Sequence, residues 1–301
     1  MIQRVKCPIS GEKSEIIFSR PYESIELNVA RLNSRVRSLY IDKHYEIRRC
    51  KESGLHFQTW VMEDGELCNH YCSPNDDSHF FEVIEKHRLY HFAHLTEEIL
   101  LLRQMLSVKR PIVLDFGCSW GKWASMALAH GCDVYGTDVN PQASAFCSSR
   151  GIKMLGLSEI TGYQFDFINV DQVLEHLSDP FGVAQLLSNS LRPGGLIKWS
   201  TPGATNLPSQ LILAQSRGDY SVLSSKDFGA LEPIEHINLF SNFSLRFLAR
   251  RVNLTPIRLP FWKSLGASQL WNIPRQFNRN LITPWKRWRS NGTYLWLQKT
   301  P

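Results

Sequence analysis

The chain of 301 residues contains no apolar run that approaches the length of a membrane-spanning helix. Its first ten residues, MIQRVKCPIS, lack the apolar core of a secretion signal, so we expect a cytoplasmic protein. The net charge of +6 comes without a long basic run and argues only weakly for a polyanionic partner. These absences disfavour a membrane protein, a secreted protein and a strongly basic nucleic-acid-binding protein.

Cysteine is absent from the second half of the chain. The seven cysteines are Cys7, Cys50, Cys68, Cys72, Cys118, Cys132 and Cys147. An odd count in a chain without a secretion signal predicts reduced thiols rather than a disulfide framework. The remaining composition, 43% hydrophobic and 21% charged, is ordinary for a globular protein of one large domain, or of one domain with an appendage.

The most informative segment is IVLDFGCSWG at residues 112–121, an apolar stretch that runs directly into a turn containing glycine. Its β-branched residues favour a buried parallel strand that delivers Asp115 to the carboxyl edge of a sheet. Gly117 and Gly121 permit a tight turn and a close approach to a ligand, and a helical segment follows from Lys122. Because the spacing differs from Gly-x-Gly-x-x-Gly, a pyrophosphate site is disfavoured, and we predict a nucleotide-sized site without a phosphate clamp.

A second predicted strand, DVYGT at residues 133–137, is followed by Asp138. The distance from the first strand suits an acidic residue that accepts hydrogen bonds from both hydroxyls of a ribose. Taken alone, Asp138 could equally be a solvated residue at the end of a strand.

Two further motifs follow in order, FDFINVDQVLEH at residues 165–176 and LRPGGL at residues 191–196. Together the four motifs resemble the class I S-adenosylmethionine-dependent methyltransferases. The resemblance implies an α/β, Rossmann-like fold, with a mostly parallel seven-stranded sheet and helices on both faces, and S-adenosylmethionine as the cofactor. The cofactor-binding residues that it implies are Asp115, Gly117, Ser119, Gly121, Asp138, Val139, Asp171 and Gln172. The family usually has glycine at the position of Ser119, where we expect the serine to adopt an ordinary φ.

Two motifs near the N-terminus, CPISG at residues 7–11 and CKESG at residues 50–54, look like the two halves of a zinc ribbon. A structural Zn²⁺ requires four ligands, and Ser10 and Ser53 stand where the second thiol of each half would be. The segment is similar to the zinc-ribbon module that precedes the methyltransferase domain in bacterial sugar and small-molecule methyltransferases. We expect a degenerate ribbon that folds without metal. The alternative is a zinc site built from Cys7, Cys50, Cys68 and Cys72.

The motifs divide the chain into two predicted parts. Residues 1–75 form the strand-rich, zinc-ribbon-like module, and residues 76–301 form the methyltransferase domain, with a lid insertion at about residues 203–235. The aromatic and basic segment at residues 271–289 could bind an anionic group or could be a surface excursion with its tryptophans packed inward.

Methyl transfer from a sulfonium requires alignment of the acceptor and, where the acceptor atom carries a proton, a base. His176 follows the fourth predicted strand of the domain and His236 follows the lid, two places that border the acceptor pocket in this fold. Imidazole can act as a base near neutral pH. Bacterial sugar C-methyltransferases that this chain resembles use a Glu-His pair at the place of Glu235 and His236. We therefore predict His236 as the base, with Glu235 and His176 as further catalytic residues.

The predicted reaction is methyl transfer to an oxygen or carbon of a small molecule, such as a sugar, a nucleotide sugar or a sugar-like biosynthetic intermediate. Nucleic acid is not expected, because amino-group methylation of bases uses an Asn/Asp-Pro-Pro-aromatic turn where this chain has DQVL at residues 171–174. Two alternatives stay open. One is a binding protein that keeps the cofactor pocket without the chemistry. The other is a macromolecule methyltransferase that recruits its target through the N-terminal module and WKRWR at residues 285–289. The sequence does not indicate the oligomeric state.

Overall fold

The computed structural model describes residues 1–24, 34–71, 88–203, 206–219, 230, 232–259 and 293–300. The strands are β1 (Ile2–Gln3), β2 (Glu15–Pro21), β3 (His44–Arg49), β4 (His56–Gln58), β5 (Trp60–Val61), β6 (Ile112–Phe116), β7 (Asp133–Thr137), β8 (Lys153–Met154), β9 (Phe165–Asp171), β10 (Leu191–Ser200), β11 (Asn238–Leu239), β12 (Leu254–Ile257) and β13 (Tyr294–Lys299). The α-helices are α1 (Ser34–Tyr40), α2 (Asp64–Tyr71), α3 (Arg88–Met105), α4 (Lys122–Ala129), α5 (Pro141–Ser149), α6 (Pro180–Asn189), α7 (Leu207–Arg217) and α8 (Asn242–Arg251).

The chain separates into two compact units, and the first contains Met1–His70, Gln172–Gln185 and Ser200–Val252. Its main sheet has four antiparallel strands in the order β11-β4-β3-β2. Along β3 the side chains alternate between the two faces, so that Tyr45 and Ile47 are fully buried. They pack in a core that Phe18 shares with Leu207 and Leu211 of α7. This unit therefore joins the N-terminal strands to segments from the middle of the chain.

The second unit contains Tyr71–Asp171, Leu186–Trp199 and Asn253–Pro301. Its sheet has seven strands in the order β12-β13-β10-β9-β6-β7-β8. The pairs β6–β7, β6–β9 and β7–β8 are parallel, whereas β12 and β13 are antiparallel. All residues of β9 except the last are buried, as expected of a central parallel strand that is covered on both faces. The predicted seven-stranded, mostly parallel sheet is confirmed.

The predicted helical segment that follows the glycine turn is present. The helix after the glycine turn begins at Lys122, and the helix of residues 242–251 is capped by the hydroxyl of Ser241, which accepts a hydrogen bond from the amide of Ser244. Within the predicted lid the structure describes α7, while residues 204–205, 220–229 and 231 lie outside the described part. The aromatic and basic segment 271–289 also lies outside it. No helix among the described residues has the length and apolarity needed to span a membrane.

Candidate functional site

The glycine turn lies at the carboxyl end of β6, in the second unit. The amides of Gly117 and Cys118 both donate to the carbonyl of Thr137, at 2.9 and 3.0 Å, which ties the turn to the end of β7. Gly121 has a φ of 70°, and a Cβ built there would lie 2.8 Å from the Cys147 sulfur. Glycine is therefore required at this position both by the backbone conformation and by the space available.

Ser119 departs from the expectation for its backbone, because its φ is 47° and not in the ordinary negative range. The left-handed conformation explains why a glycine is usual at this position. The strained turn is stabilised by a hydrogen bond of 2.7 Å, in which the Ser119 amide donates to Oδ2 of Asp138. Ser119 is exposed, so its hydroxyl is available to a ligand.

Asp138 links the two loops that follow β6 and β7. While Oδ2 accepts from Ser119, Oδ1 accepts a hydrogen bond of 2.9 Å from the amide of Asn140, which caps the N-terminus of α5. Each carboxylate oxygen has a second lone pair, so both can still accept a hydroxyl of a ligand. The next residue, Val139, is 59% exposed and offers an apolar surface beside this carboxylate.

Asp115 is buried within β6, and its Oδ1 accepts a hydrogen bond of 2.7 Å from the side-chain amide of Asn169 on β9. Burial raises the pKa of Asp115 to about 7, although the Asn169 hydrogen bond and the charge of Lys198 act in the opposite direction. Asp115 therefore titrates in the neutral range in the folded chain.

This raised pKa predicts a pH dependence of stability. Between pH 4 and pH 7 the folded chain binds a proton at Asp115 that the unfolded chain has lost, so the free energy of unfolding falls as the pH rises. The shift from 3.8 to about 7 corresponds to a loss on the order of 4 kcal/mol. Asp115→Asn, which keeps the acceptor for Asn169, should remove that part of the slope in urea unfolding measured at pH 4.5 and 7.5. Equal slopes in the two proteins would contradict the assignment.

The two other predicted cofactor residues follow β9. Asp171 is the last residue of that strand, and its Oδ2 lies 3.7 Å from Nζ of Lys198. Lys198 is itself buried and forms a closer ion pair of 2.8 Å with Glu98, which also accepts a hydrogen bond from the Trp123 indole. Gln172 belongs to the first unit, has a φ of 56° and donates from its side-chain amide to the hydroxyl of Ser200 at 2.9 Å.

The predicted catalytic residues lie together in the first unit. The rings of His176 and His236 meet edge to face, with their centroids 4.7 Å apart. Nδ1 of His176 lies 3.0 Å from the carbonyl oxygen of Glu235, and Oε1 of Glu235 lies 3.0 Å from Nε2 of His70. The structure thus brings His176, Glu235 and His236 together and adds His70, which the sequence analysis did not identify.

The charges of this group follow from its surroundings. Burial, together with the charge of the neighbouring His236, lowers the pKa of His176 to about 4, against the opposing effects of the charge and the backbone carbonyl of Glu235. The hydrogen bond with His70 lowers the pKa of Glu235 below its ordinary value, against the opposing effect of burial. At neutral pH the unit therefore holds a neutral His176 beside an ionised Glu235.

The backbone around the two histidines is held by residues far away in the sequence. Asn238 donates from its side-chain amide to the carbonyls of Leu174 and Leu177, at 3.1 and 2.8 Å, and so fixes the 3₁₀ turn that carries His176. The buried Arg4 donates to the Asn238 side chain at 2.9 Å, and the side chain of Gln58 donates to the carbonyl of His236 at 3.1 Å. No local pattern in the sequence could have revealed these links.

Glu175 is the one further acidic residue in this group, and its side chain is buried. The ligand atoms of Glu175, His176 and His236 all lie within 4.8 Å of one another. Glu175 belongs to the motif that ends at His176 but is not among the catalytic residues predicted from the sequence. The adjacent Glu-His pair was the available signal.

The two degenerate ribbon motifs also face each other in the first unit. Sγ of Cys7 lies 3.1 Å from Oγ of Ser53, and Oγ of Ser10 lies 3.4 Å from Sγ of Cys50, so each thiol contacts the serine of the opposite motif. Cys7 and Cys50 are buried free thiols. The side chain of Cys68 and all of Cys72 lie outside the described residues, so the alternative four-cysteine site stays a prediction.

The sheet order, the glycine turn and the acidic residue after β7 define a nucleotide-binding domain of the methyltransferase class. Residues 84–259 match a family model described as "Methyltransferase domain". Because the match spans more than half of the chain, the chain belongs to this family. The predicted class I methyltransferase is thereby confirmed, and S-adenosylmethionine is its cofactor.

Curated relatives match a shorter segment. The ubiquinone biosynthesis O-methyltransferase of Idiomarina loihiensis is 30% identical over 100 residues, which are 30% of this chain and 41% of that protein. The protein with the same name from Vibrio cholerae is 28% identical over 100 residues, which are again 30% of this chain and 41% of that protein. The match thus covers about two fifths of the length of these relatives.

Two solved structures illustrate more distant likenesses. One is the plantazolicin methyltransferase BamL in complex with a triazolic desmethylPZN analogue and SAH, which superposes with a TM-score of 0.49 at 15% identity. The alignment covers 78% of this chain and 95% of the BamL chain. The other is magnesium protoporphyrin IX methyltransferase from Synechocystis with bound SAH, which has a TM-score of 0.49 at 11% identity. The alignment covers 79% of this chain and the whole of that chain.

Proposed function

We propose that the protein transfers a methyl group from S-adenosylmethionine to an oxygen or carbon of a small molecule. The observation that carries this proposal is the turn after β6, where Gly117, Ser119 and Gly121 all have a positive φ and the amide of Ser119 donates a hydrogen bond to Asp138. The small-molecule acceptor is supported by the relatives, which are named as O-methyltransferases of ubiquinone biosynthesis. A sugar or nucleotide sugar, the acceptor predicted from the sequence, is the finer proposal.

The cofactor residues divide by the chemistry that each can supply. Asp138 would accept from the ribose hydroxyls, and the exposed Val139 would pack against the adenine. The turn of Gly117, Ser119 and Gly121 would hold the amino-acid end, and Asp115 beneath it would support that turn. Asp171 and Gln172, at the end of β9, complete the proposed set. The reaction breaks the bond between sulfur and methyl as the new oxygen–methyl or carbon–methyl bond forms, and S-adenosylhomocysteine leaves.

We retain His236, Glu235 and His176 as the proposed catalytic group that contacts the acceptor. Their support is chemical: the two imidazole rings are in contact, and the backbone carbonyl of Glu235 lies 3.0 Å from Nδ1 of His176, on backbone that Asn238 and Gln58 hold in place. The division of the chain at residue 75 and a cytoplasmic location likewise stay proposals.

His236→Ala should lower kcat by about 100-fold or more, because it removes a side chain that contacts the reacting part of the acceptor. The dissociation constant for S-adenosylmethionine should stay unchanged. The measurement combines release of S-adenosylhomocysteine with calorimetric titration of the cofactor. His44→Ala is the matched control, since His44 is an exposed histidine in β3 of the same unit. Full activity of His236→Ala on the true acceptor would remove His236 from the catalytic group.

The experiment that tests the proposed function has two stages. Calorimetric titration with S-adenosylmethionine, S-adenosylhomocysteine and NAD should show micromolar binding of the first two alone. Release of S-adenosylhomocysteine is then measured with a panel of nucleotide sugars, simple glycosides and hydroxylated aromatic compounds. Cofactor binding without turnover on any acceptor class would favour the non-catalytic binding protein, and turnover on aromatic compounds alone would exclude the sugar acceptor.

A further inference from the structure

We propose that Glu175, His176 and His236 form a binding site for a divalent transition-metal ion. The ligand atoms of these three side chains lie within 4.8 Å of one another. Among the described residues, this is the one place where at least three His, Cys, Asp or Glu side chains lie close enough to hold a metal ion. Ligands at about 2.0–2.2 Å from a Zn²⁺ ion in tetrahedral array lie about 3.4 Å apart. Movements of about 1 Å would therefore close the three side chains around an ion.

The orientation of His176 supports this site. A carbonyl oxygen can only accept a hydrogen bond, so the contact of 3.0 Å with the Glu235 carbonyl requires the proton of the neutral ring to be on Nδ1. Nε2 then carries a lone pair, and it lies 3.9 Å from Oε1 of Glu175. Nε2 of His176 and Oε1 of Glu175 are thus both electron-pair donors, and a cation between them would be attracted by both.

The surroundings also match those of protein metal sites. A histidine that binds a metal through one nitrogen typically donates from the other to a carbonyl or carboxylate, and this is the arrangement of His176 with the Glu235 carbonyl. The turn that carries Glu175 and His176 is fixed by the two hydrogen bonds from Asn238, which is held in turn by Arg4. The backbone that carries these two ligands is therefore held in place before an ion binds, and only side-chain movements are needed to close the site.

The donor set narrows the choice of ion. Two imidazoles and one carboxylate suit Zn²⁺, Co²⁺, Mn²⁺ or Fe²⁺, whereas Mg²⁺ and Ca²⁺ prefer oxygen ligands alone. Three protein ligands leave at least one coordination position open to water or to a substrate oxygen. The site has the form of a reactive metal centre and not that of a closed structural one.

A metal ion here would also define the acceptor more closely, and this step rests on the proposed function. An acceptor hydroxyl that occupies the open position would lose its proton to water more easily, because the cation stabilises the oxygen anion. That oxygen would then take the methyl group from sulfur. In this arrangement His236 is a ligand and not the base predicted from the sequence, and the acceptor is a molecule with a coordinating hydroxyl.

Co²⁺ provides the test, because its visible absorption reports the ligand set. The full chain is treated with a chelator, dialysed and titrated with Co²⁺, and bound metal is counted by elemental analysis. We expect one Co²⁺ per chain, displaced by Zn²⁺, with at least 10-fold weaker binding in Glu175→Gln and in His236→Gln. His44→Gln, which changes an exposed histidine of the same unit, should bind as the unchanged protein does.

Folding of each variant is checked by circular dichroism and by calorimetric binding of S-adenosylmethionine. A folded, unsubstituted chain that binds no Co²⁺ or Zn²⁺ would overturn the metal site, and so would binding that both variants retain in full. If Glu175→Gln fails to fold, the Co²⁺ affinity of His236→Gln alone tests the site. Because metal binding is measured without an acceptor, its failure is separate from a failure of the proposed methyl transfer.

Discussion

Asp138→Ala should weaken S-adenosylmethionine binding by about 100-fold. The substitution removes the acceptor proposed for the ribose hydroxyls, and two hydrogen bonds to a charged group contribute about 3 kcal/mol together. It also removes the bonds of 2.7 and 2.9 Å that hold the amides of Ser119 and Asn140. Ser119, at a φ of 47°, would then lose the contact that stabilises its left-handed conformation. Calorimetric titration with S-adenosylmethionine and S-adenosylhomocysteine measures the effect.

Two further variants separate the causes. Asp138→Asn keeps one acceptor oxygen but directs an NH₂ group at one of the two amides. Its affinity for S-adenosylmethionine should therefore lie between those of the unsubstituted chain and of Asp138→Ala. Asp133→Asn removes a carboxylate from the other end of β7, where it pairs with Lys153 at the surface, and should leave cofactor binding unchanged. Unaltered affinity in Asp138→Ala would show that this carboxylate has no part in the cofactor site.

The double variant Ser10→Cys/Ser53→Cys should bind one Zn²⁺ per chain more than the unsubstituted chain does. The two motifs already face each other, with each thiol within 3.4 Å of the serine that would be replaced. Four thiolates in this array form the preferred ligand set of a structural zinc site. At a free Zn²⁺ concentration 100 times the dissociation constant of this four-thiol site, the free energy of unfolding should rise by about 2.7 kcal/mol more than it does in the unsubstituted chain. Elemental analysis and thermal unfolding with and without a chelator provide the measurement.

The control for this experiment adds Cys7→Ser to the double variant, leaving three thiols and a weaker site. The unsubstituted chain, in which the two motifs provide the thiols of Cys7 and Cys50 alone, should lack this additional Zn²⁺ and the stability that it adds. A double variant that folds but takes up no more zinc than the unsubstituted chain would show that the two motifs have lost the geometry of a zinc ribbon, and not only its ligands.

Much of the second unit could be predicted because its signals are local. The strand Ile112–Phe116 continues directly into its turn, and the next strand places Asp138 one residue beyond its end. A short stretch of sequence therefore specifies both the elements and the residues that we propose for the cofactor site. Parallel pairing then brings Asp115 opposite Gly136 and Asn169 at the same sheet edge. The order of the motifs was sufficient for the class of fold.

The features that could not be predicted depend on contacts between distant parts of the chain. Arg4 and Asn238 are separated by 234 positions, and neither has a local pattern that points to the other. The conformation of Ser119 depends on Asp138, 19 positions later, so the residue type alone favoured an ordinary φ. Glu175 gained its significance only when folding placed His236 beside it.

The strand β11 has a consequence for how this protein can be taken apart or recombined. Its two residues, Asn238 and Leu239, pair with Phe57 and His56 of β4. The side chain of Asn238 also accepts a hydrogen bond from Arg4 and donates one to the carbonyl of Leu177. A shortened chain that starts after the module would leave β11 without its neighbouring strand and Asn238 without its guanidinium partner. The N-terminal strands are therefore not an independent attachment. A hybrid that takes them from another protein must also take the matching segment around residues 232–241, because the pairing of β4 with β11 and the contact of Arg4 with Asn238 need residues from both segments.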